Sequence, residues 1–347
     1  MINVSSASLP YIKEEAIPKS YTLFKEGDVA FADASEDTND VAKAIEVINC
    51  DGQQIVSGLH TIHGRDNSNQ TVIGYKGYAF ASDSFHKQIR RIAQGTKVFS
   101  INVRNFDEVY IGVPSKEEQV KIAKLLIAID DRIATQNKII EKLQSLIKGL
   151  VDEIITPQCG QIVTFDKLYS KAGEGGTPST LNAEYYENGN IPFVKIDDLN
   201  NKYLLTNKDY ITELGLQKSS AWLIPANSII YSNGATIGAI SINEYPICTK
   251  QGILGIVPNS CVDVEYLYYL MCSSYFQKEV ERIVTEGTMK TAYLKDINHI
   301  KCPKPNWNRQ KEISQTLSTL SLKEDIERQL LKKYQMQKQC LLRQMFI

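Results

Sequence analysis

The sequence has no apolar run near the ~18–20 residues that a membrane-crossing helix needs. Its opening stretch, Met1-Ile2-Asn3-Val4-Ser5, has neither a basic n-region nor an apolar h-region, so a cytoplasmic location and no membrane partner are expected. The seven cysteines, at 50, 159, 248, 261, 272, 302 and 340, never fall at Cys-x2-Cys spacing. An odd, scattered set in a long chain argues against a disulfide framework and against a zinc site, and for buried reduced thiols. Gly175-Gly176 lacks the Gly-Lys-Ser/Thr ending of a phosphate-binding loop and reads as a turn. His60-x2-His63 has no further ligands in its pattern, and Asp197-Asp198 has no spaced acidic partner. There is no glycine-rich cofactor fingerprint and no Ser/His/Asp set, so no cofactor, no metal and no catalytic site are expected.

A strongly basic segment is also missing. The net charge is −1, and residues 1–115 carry 11 basic and 14 acidic side chains, residues 116–157 seven of each, residues 158–306 13 and 15, and residues 307–347 eight and four. Lys and Arg on phosphates supply most nonspecific nucleic-acid affinity, so a tight DNA binder of this composition needs a partner to hold much of the backbone.

What the chain does have is an internal repeat, which is worth seeking first because it fixes the architecture. Phe85-x-Lys87-x3-Arg91-Ile92 recurs as Phe276-x-Lys278-x3-Arg282-Ile283, an offset of 191. A Gly-Thr pair follows each, at Gly95-Thr96 and Gly287-Thr288, and the 191 offset then resumes through Pro114/Pro305, Gln119/Gln310, Ile122/Ile313, Leu126/Leu317, Ile129/Leu320, Lys142/Lys333 and Leu150/Leu341. Upstream, Lys19-Ser20 aligns with Lys218-Ser219 and Asp28-Val29 with Ser228-Ile229, at 199–200. Carried back, this leaves residues 158 to about 199 without a counterpart in the first half; terminal repeats are often atypical.

Each repeat reads as a strand-rich globular part followed by a long helix. Short apolar runs such as Ile191–Val194, Ser228–Tyr231, Ile237–Ile240 and Ile253–Val257 are punctuated by Gly, Pro, Asn and Asp, the strand signature. Residues 262–270 read instead as a short helix. Ile122, Leu126, Ile129, Ile133, Ile140, Leu143, Ile147, Leu150 and Ile154 form a heptad seam with Gln136 as its polar exception. In the second helix Ile313, Leu317, Leu320, Leu331, Tyr334, Leu341 and Met345 fit, but Glu324, Glu327 and Lys338 interrupt, so that seam is either broken or shifts register near Leu322 and Ile326. A 40-residue helix spans roughly 60 Å, and two such seams in one chain invite antiparallel pairing. Pro114 and Pro305 sit just before the helix starts and Pro157 closes the first helix. The expected fold class is α+β, with boundaries at 1–115, 116–157, 158–306 and 307–347. Periodicity alone fits a generic helical hairpin or dimerisation coil equally well.

The order of parts resembles a known family. Pro114-x4-Gln119-x2-Ile122-x3-Leu126 and Pro305-x4-Gln310-x2-Ile313-x3-Leu317, each opening a long helix after a globular part, are similar to the specificity subunits of type I restriction–modification enzymes. Gly175-Gly-Thr-Pro-Ser179, Tyr185-Tyr186, Ile191-Pro-Phe-Val194, Asn233-Gly-Ala-Thr-Ile-Gly238, Lys250-Gln-Gly252 and Ser57-Gly-Leu-His-Thr-Ile62 add to the likeness. The family usually has Glu-Gln where the second copy has Arg309-Gln310, and the opening motif has no counterpart in the first half.

The resemblance implies two target recognition domains, each reading half of a bipartite double-stranded DNA site, held apart by the antiparallel helices. The first of these domains would be incomplete at its N-terminal side. DNA methyltransferase (modification) subunits would dock on the helices, with a restriction/translocase subunit joining through the complex, and catalysis would belong to those partners. Base reading needs amide, guanidinium, ammonium or hydroxyl groups on exposed loops. The candidates are Lys171, Thr177, Lys195, Asn233, Thr236, Lys250, Gln251, Lys290 and Tyr293 in the second domain and His60, His63, Arg65, Lys97, Asn102 and Arg104 in the first, although any single one is more often an ordinary solvated side chain. Two rivals stay open: a coiled-coil interaction scaffold that never reads sequence, and a catalytic fusion, against which the missing motifs and length argue.

Overall fold

The computed structural model describes residues 2–3, 9–13, 15, 21–284 and 290–346. Lys19-Ser20 and Gly287-Thr288, used above to trace the repeat, lie outside them. The chain divides into two compact units, residues 1–139 with 327–347 and residues 140–326, so both long helices are shared between units.

In the first unit a four-stranded sheet has the order β1 (Ile2–Asn3), β4 (Ala44–Asn49), β2 (Val29–Ala32), β5 (Thr61–Gly64), with β1 parallel to β4 and the other pairings antiparallel. A short ribbon joins β3 (Ala34–Ser35) to β6 (Phe99–Ser100). Helices α1 (Lys76–Ala79) and α2 (Asp83–Ile92) follow β5 in the chain, and Phe85 and Ile89 of α2 pack on Val29 and Phe31 of the sheet.

The second unit repeats this plan with additions. Its five-stranded sheet runs β10 (Tyr203–Leu204), β13 (Ile240–Asn243), β12 (Ser228–Ser232), β15 (Ile253–Pro258), β8 (Tyr169–Glu174). A three-stranded sheet has the order β11 (Asp209–Ile211), β9 (Ile191–Val194), β14 (Cys248–Thr249), and β7 (Gln161–Thr164) pairs with β16 (Lys301–Lys304). The helices are α4 (Glu213–Gln217), α5 (Val264–Cys272), α6 (Ser274–Ile283) and α7 (Leu294–Ile297), and α5 covers residues read above as a short helix. The core is built from β12, β15, α5 and α6, with Phe165, Leu168, Tyr266 and Phe276 fully buried in it.

The repeat is carried into side-chain detail. Ser82 and Ser273 each cap the helix that follows, accepting the Phe85 or Phe276 N–H at 3.2 Å and donating to the carbonyl three residues back. Tyr75 donates its hydroxyl to the Gly112 carbonyl, and Tyr266, 191 residues on, donates to Pro303.

The long helices are α3 (Lys116–Ile154) and α8 (Trp307–Met345). A capping box starts α3: Ser115 Oγ accepts the Glu118 N–H at 3.3 Å while the Glu118 carboxylate accepts the Ser115 N–H at 3.2 Å. Gln119 then clamps the entry. Its Oε1 accepts the Val72 N–H at 2.9 Å, and its Nε2 donates to the Gln70 and Pro114 carbonyls at 3.0 and 2.8 Å. Gln310 does the same at 191 residues' offset, with the Asp263 N–H and the Cys261 and Pro305 carbonyls. The Pro-x4-Gln pattern is thus a hydrogen-bonding device that fixes each helix to its own globular part.

All ten seam positions of α3 are buried or half-buried, while the off-seam Leu125, Ile139 and Leu146 are exposed. In the first unit Asp130 pairs with Lys338 at 2.6 Å, Arg132 lies over the Tyr334 ring and Gln136 bonds Glu327, so partner numbers fall as α3 numbers rise and the helices are antiparallel. In the second unit Ile147, Leu150 and Ile154 pack in one core with Ile313 and Leu317.

The expected break in the second seam does not occur. Leu322 and Ile326, where a register shift was anticipated, are 61% and 50% exposed, whereas Glu327 stays on the seam at 7%. A carboxylate is tolerated there because Gln136, the polar exception of α3, donates its Nε2 to it and also to the Glu327 carbonyl at 3.2 Å. Lys338 likewise stays half-buried on the seam through Asp130.

Among the described residues no helix is long and apolar enough to cross a membrane.

Candidate nucleic-acid interface

In the second unit the predicted loop residues converge at one end of the five-stranded sheet, where β8 and β12 end and β15 begins. The convergence is held by backbone and side-chain bonds. The Gly252 N–H reaches Glu174 Oε1 at 2.8 Å, the Gln251 N–H reaches Thr177 Oγ1 at 3.3 Å, and the Gly252 carbonyl accepts from the Asn233 N–H at 3.1 Å. The Asn233 carbonyl accepts the Ala292 N–H at 2.9 Å, which brings in the segment bearing Lys290 and Tyr293. Lys250 is tied to β9 through its N–H on the Val194 carbonyl at 3.0 Å, next to Lys195.

Glycine makes this tight junction possible. A Cβ on Gly175 would sit 2.2 Å from the Thr249 carbonyl oxygen, and one on Gly176 would sit 2.4 Å from the Ala221 nitrogen. The Gly-Gly pair is therefore a close backbone crossing that orients the loop carrying Thr177.

The exposed groups on this surface are Thr177, Thr236, Lys250, Gln251, Lys290 and Tyr293. They offer hydroxyl, amide and ammonium groups plus one half-exposed ring, the set that base edges and phosphates can engage. Lys195 is exposed and paired with Asp209 at 2.8 Å. Lys171 lies lower on β8 with its ammonium 4.3 Å from the centre of the Trp222 ring, a cation–π contact. Asn233 departs from expectation: it is 1% exposed and its Nδ2 donates to the Ala292 carbonyl at 3.2 Å. It holds the loops together and does not face outward.

The first-unit candidates are not gathered in the same way. Arg65 donates from Nε and Nη2 to the two carboxylate oxygens of Asp28 at 2.9 and 2.7 Å, and His63 Nε2 meets the same carboxylate at 2.9 Å. Burial works against the charged form of Asp28, but the bonds from Arg65, His63 and the Lys25 N–H outweigh it and hold its pKa at about 2. Arg65 and His63 are thus engaged in an internal ion cluster, which sequence spacing could not reveal. His60 lies exposed with Nδ1 3.4 Å from Asp33. Asn102 caps a short turn by accepting the Arg104 N–H at 2.9 Å, and Arg104 and Lys97 are exposed.

Sequence reading missed two residues that contact the loop and strand residues of the second surface, Glu174 through the Gly252 N–H and Trp222 beneath the Lys171 ammonium. The second was signalled only by being one of two tryptophans in the chain.

The molecule is a duplicated α+β chain built from two related halves, whose long helices are keyed by matching glutamines and whose second half carries a loop surface of amide, hydroxyl and ammonium groups at a sheet end. The chain belongs to the family of the type I restriction modification DNA specificity domain, whose model matches residues 3–145 and 168–334. It is 27% identical over 252 residues to the EcoR124I/EcoR124II specificity subunit of Escherichia coli, covering 66% of this chain and 61% of that protein. It is 26% identical over 333 residues to the putative MjaX specificity subunit of Methanocaldococcus jannaschii, covering 89% of this chain and 74% of that one. Among solved structures, the S subunit from M. genitalium has a TM-score of 0.57 at 18% identity, over 97% of this chain and 87% of that chain. A chain from a structure of type I R-M complex assembly gives 0.64 at 15%, over 98% and 89%. These two share the fold.

Proposed function

We propose that this chain is a non-catalytic specificity subunit that reads a bipartite double-stranded DNA target. It would direct methyltransferase (modification) subunits, and through the complex a restriction/translocase subunit, in the cytoplasm. The observation that carries the reading is the convergence of Thr177, Lys250 and Gln251 on one glycine-tightened loop surface within a chain of this family. The recognition parts are residues 1–115 and 158–306, and the helices between them serve as spacer and docking rods. Because the net charge is −1, much of the phosphate contact falls to the partner.

The second domain is the stronger reader. Its loops are gathered at one sheet end, while Arg65 and His63 of the first domain are spent on Asp28. Selection on randomised DNA with methyltransferase present tests this: Lys250→Ala and Gln251→Ala should relax one half-site, at about 1–3 kcal/mol for a base-reading contact. Two equally strong half-sites would overturn the asymmetry. No half-site at all with the partner present would favour the interaction-scaffold reading.

A further inference from the structure

The two units share a sheet plan but differ at one edge. Val29 faces Gly64 and Phe31 faces Ile62 across β2 and β5, as Ile229 faces Ile256 and Tyr231 faces Leu254 across β12 and β15. Beyond β15 lies β8, paired with it from Leu254 to Pro258. Beyond β5, among the described residues, no strand is paired.

Beside that open edge is a cavity of about 400 Å³ whose apolar wall includes Phe31, Ile62, Phe80, Phe106 and Ile111. The repeat-equivalent residues of the second unit are Tyr231, Leu254, Met271, Ile297 and Cys302, and they are all buried in its main core. What covers them there is the segment leading into β8: Phe165 and Leu168 are each 0% exposed in the same core, and Tyr169 and Ala172 pack beside them. The first unit therefore has the walls of a site whose occupant is seen in the second.

We propose that the outer edge of β5 and this cavity accept an extended polypeptide segment donated by another protein chain. It would add as an antiparallel strand, with a Phe-x2-Leu pair ahead of the strand filling the cavity. An unpaired strand edge is a row of backbone donors and acceptors that a polypeptide satisfies, and side-chain pockets beside it give such strand addition its specificity. The molecule's own segment of this chemistry is committed elsewhere. The Phe165 N–H bonds the Ile300 carbonyl at 2.9 Å, and β8 is paired with β15.

The test uses the full chain and a synthetic peptide of residues 160–175, with amide hydrogen exchange read segment by segment. Saturating peptide should slow exchange of the amides in Thr61–Arg65 that do not bond β2 by about tenfold or more. A peptide carrying F165D and L168D should leave them unchanged. No slowing with the intact peptide would overturn the proposal. So would equal slowing by the doubly substituted one, slowing confined to Ile253–Pro258, or protection, before peptide is added, of the amides in Thr61–Arg65 that do not bond β2.

Discussion

Gln136 and Glu327 are hydrogen-bonded to each other across the helix pair and are separated by 191 positions, the offset of the internal repeat itself. Equivalent points of the two halves therefore meet, Gln136 as the polar exception of the α3 seam and Glu327 as one of the polar positions of the α8 seam. Replacing only Gln136 by Leu should cost about 1–3 kcal/mol, because Glu327 loses the Gln136 amide as a donor to its buried carboxylate and to its carbonyl. The double replacement Q136L/E327L should recover that loss or exceed it, as buried polar pairs changed to apolar ones often do. Denaturation of the two single variants and the double variant measures the coupling; additive effects would show that the pair does not act as a unit.

Ile140 is 5% exposed on the α3 seam. Ile140→Asp forfeits roughly 1.5–3 kcal/mol of apolar burial and adds the cost of an unpaired buried carboxylate. Thermal unfolding should shift downward and the loss should shrink as pH falls and the aspartate protonates.

Asp28 supplies a pH dependence of definite sign. Its pKa in the folded chain is about 2 against an ordinary 3.8, so its contribution is complete above pH 4 and is lost as pH falls towards 2. The shift corresponds to about 2 kcal/mol. Asp28→Asn should remove that stabilisation at neutral pH and flatten the acid limb of the stability curve. A limb identical to that of the unaltered chain would refute the assignment.

Glu46 and Lys76 make a buried ion pair at 3.4 Å, where the second unit has Ile242 and Leu267. The Glu46 carboxylate also accepts the Gly74 and Gly77 N–H groups at 3.0 and 2.7 Å. Glu46→Leu leaves the Lys76 ammonium, still bonded to Thr71 Oγ1 at 2.9 Å, without its carboxylate and leaves two backbone donors unpaired, and should cost about 3–5 kcal/mol in chemical denaturation. Lys76→Met leaves the two N–H partners in place and should cost less.

The parts of this architecture visible in the sequence are those set by local pattern. The heptad seam of α3, the two Pro-x4-Gln entries and the 191-residue repeat all depend on spacing along one chain, and each has a direct structural counterpart. What was misread depends on partners far away in sequence. Glu327 looked like a break because Gln136 lies 191 residues off. Asn233 looked available because its bond to Ala292 closes a loop from another part of the chain. Arg65 and His63 looked available for base contact because Asp28, which bonds both, lies 37 and 35 residues away, just ahead of β2. Glu46 and Lys76 gave no signal at all, since nothing in their spacing marks a buried pair.

The glutamine clamps act as keyways. Gln119 and Gln310 each spend a carbonyl oxygen and an amide nitrogen on fixed partners, so neither helix can roll about its axis without breaking several bonds together. Gln136 lies seventeen residues beyond Gln119, and Glu327 lies seventeen beyond Gln310. One residue added or removed in either stretch would turn everything beyond it by about 100° and slide it by about 1.5 Å. The angular phase of each rod is thus cut at its mouth, by the globular part in which it starts.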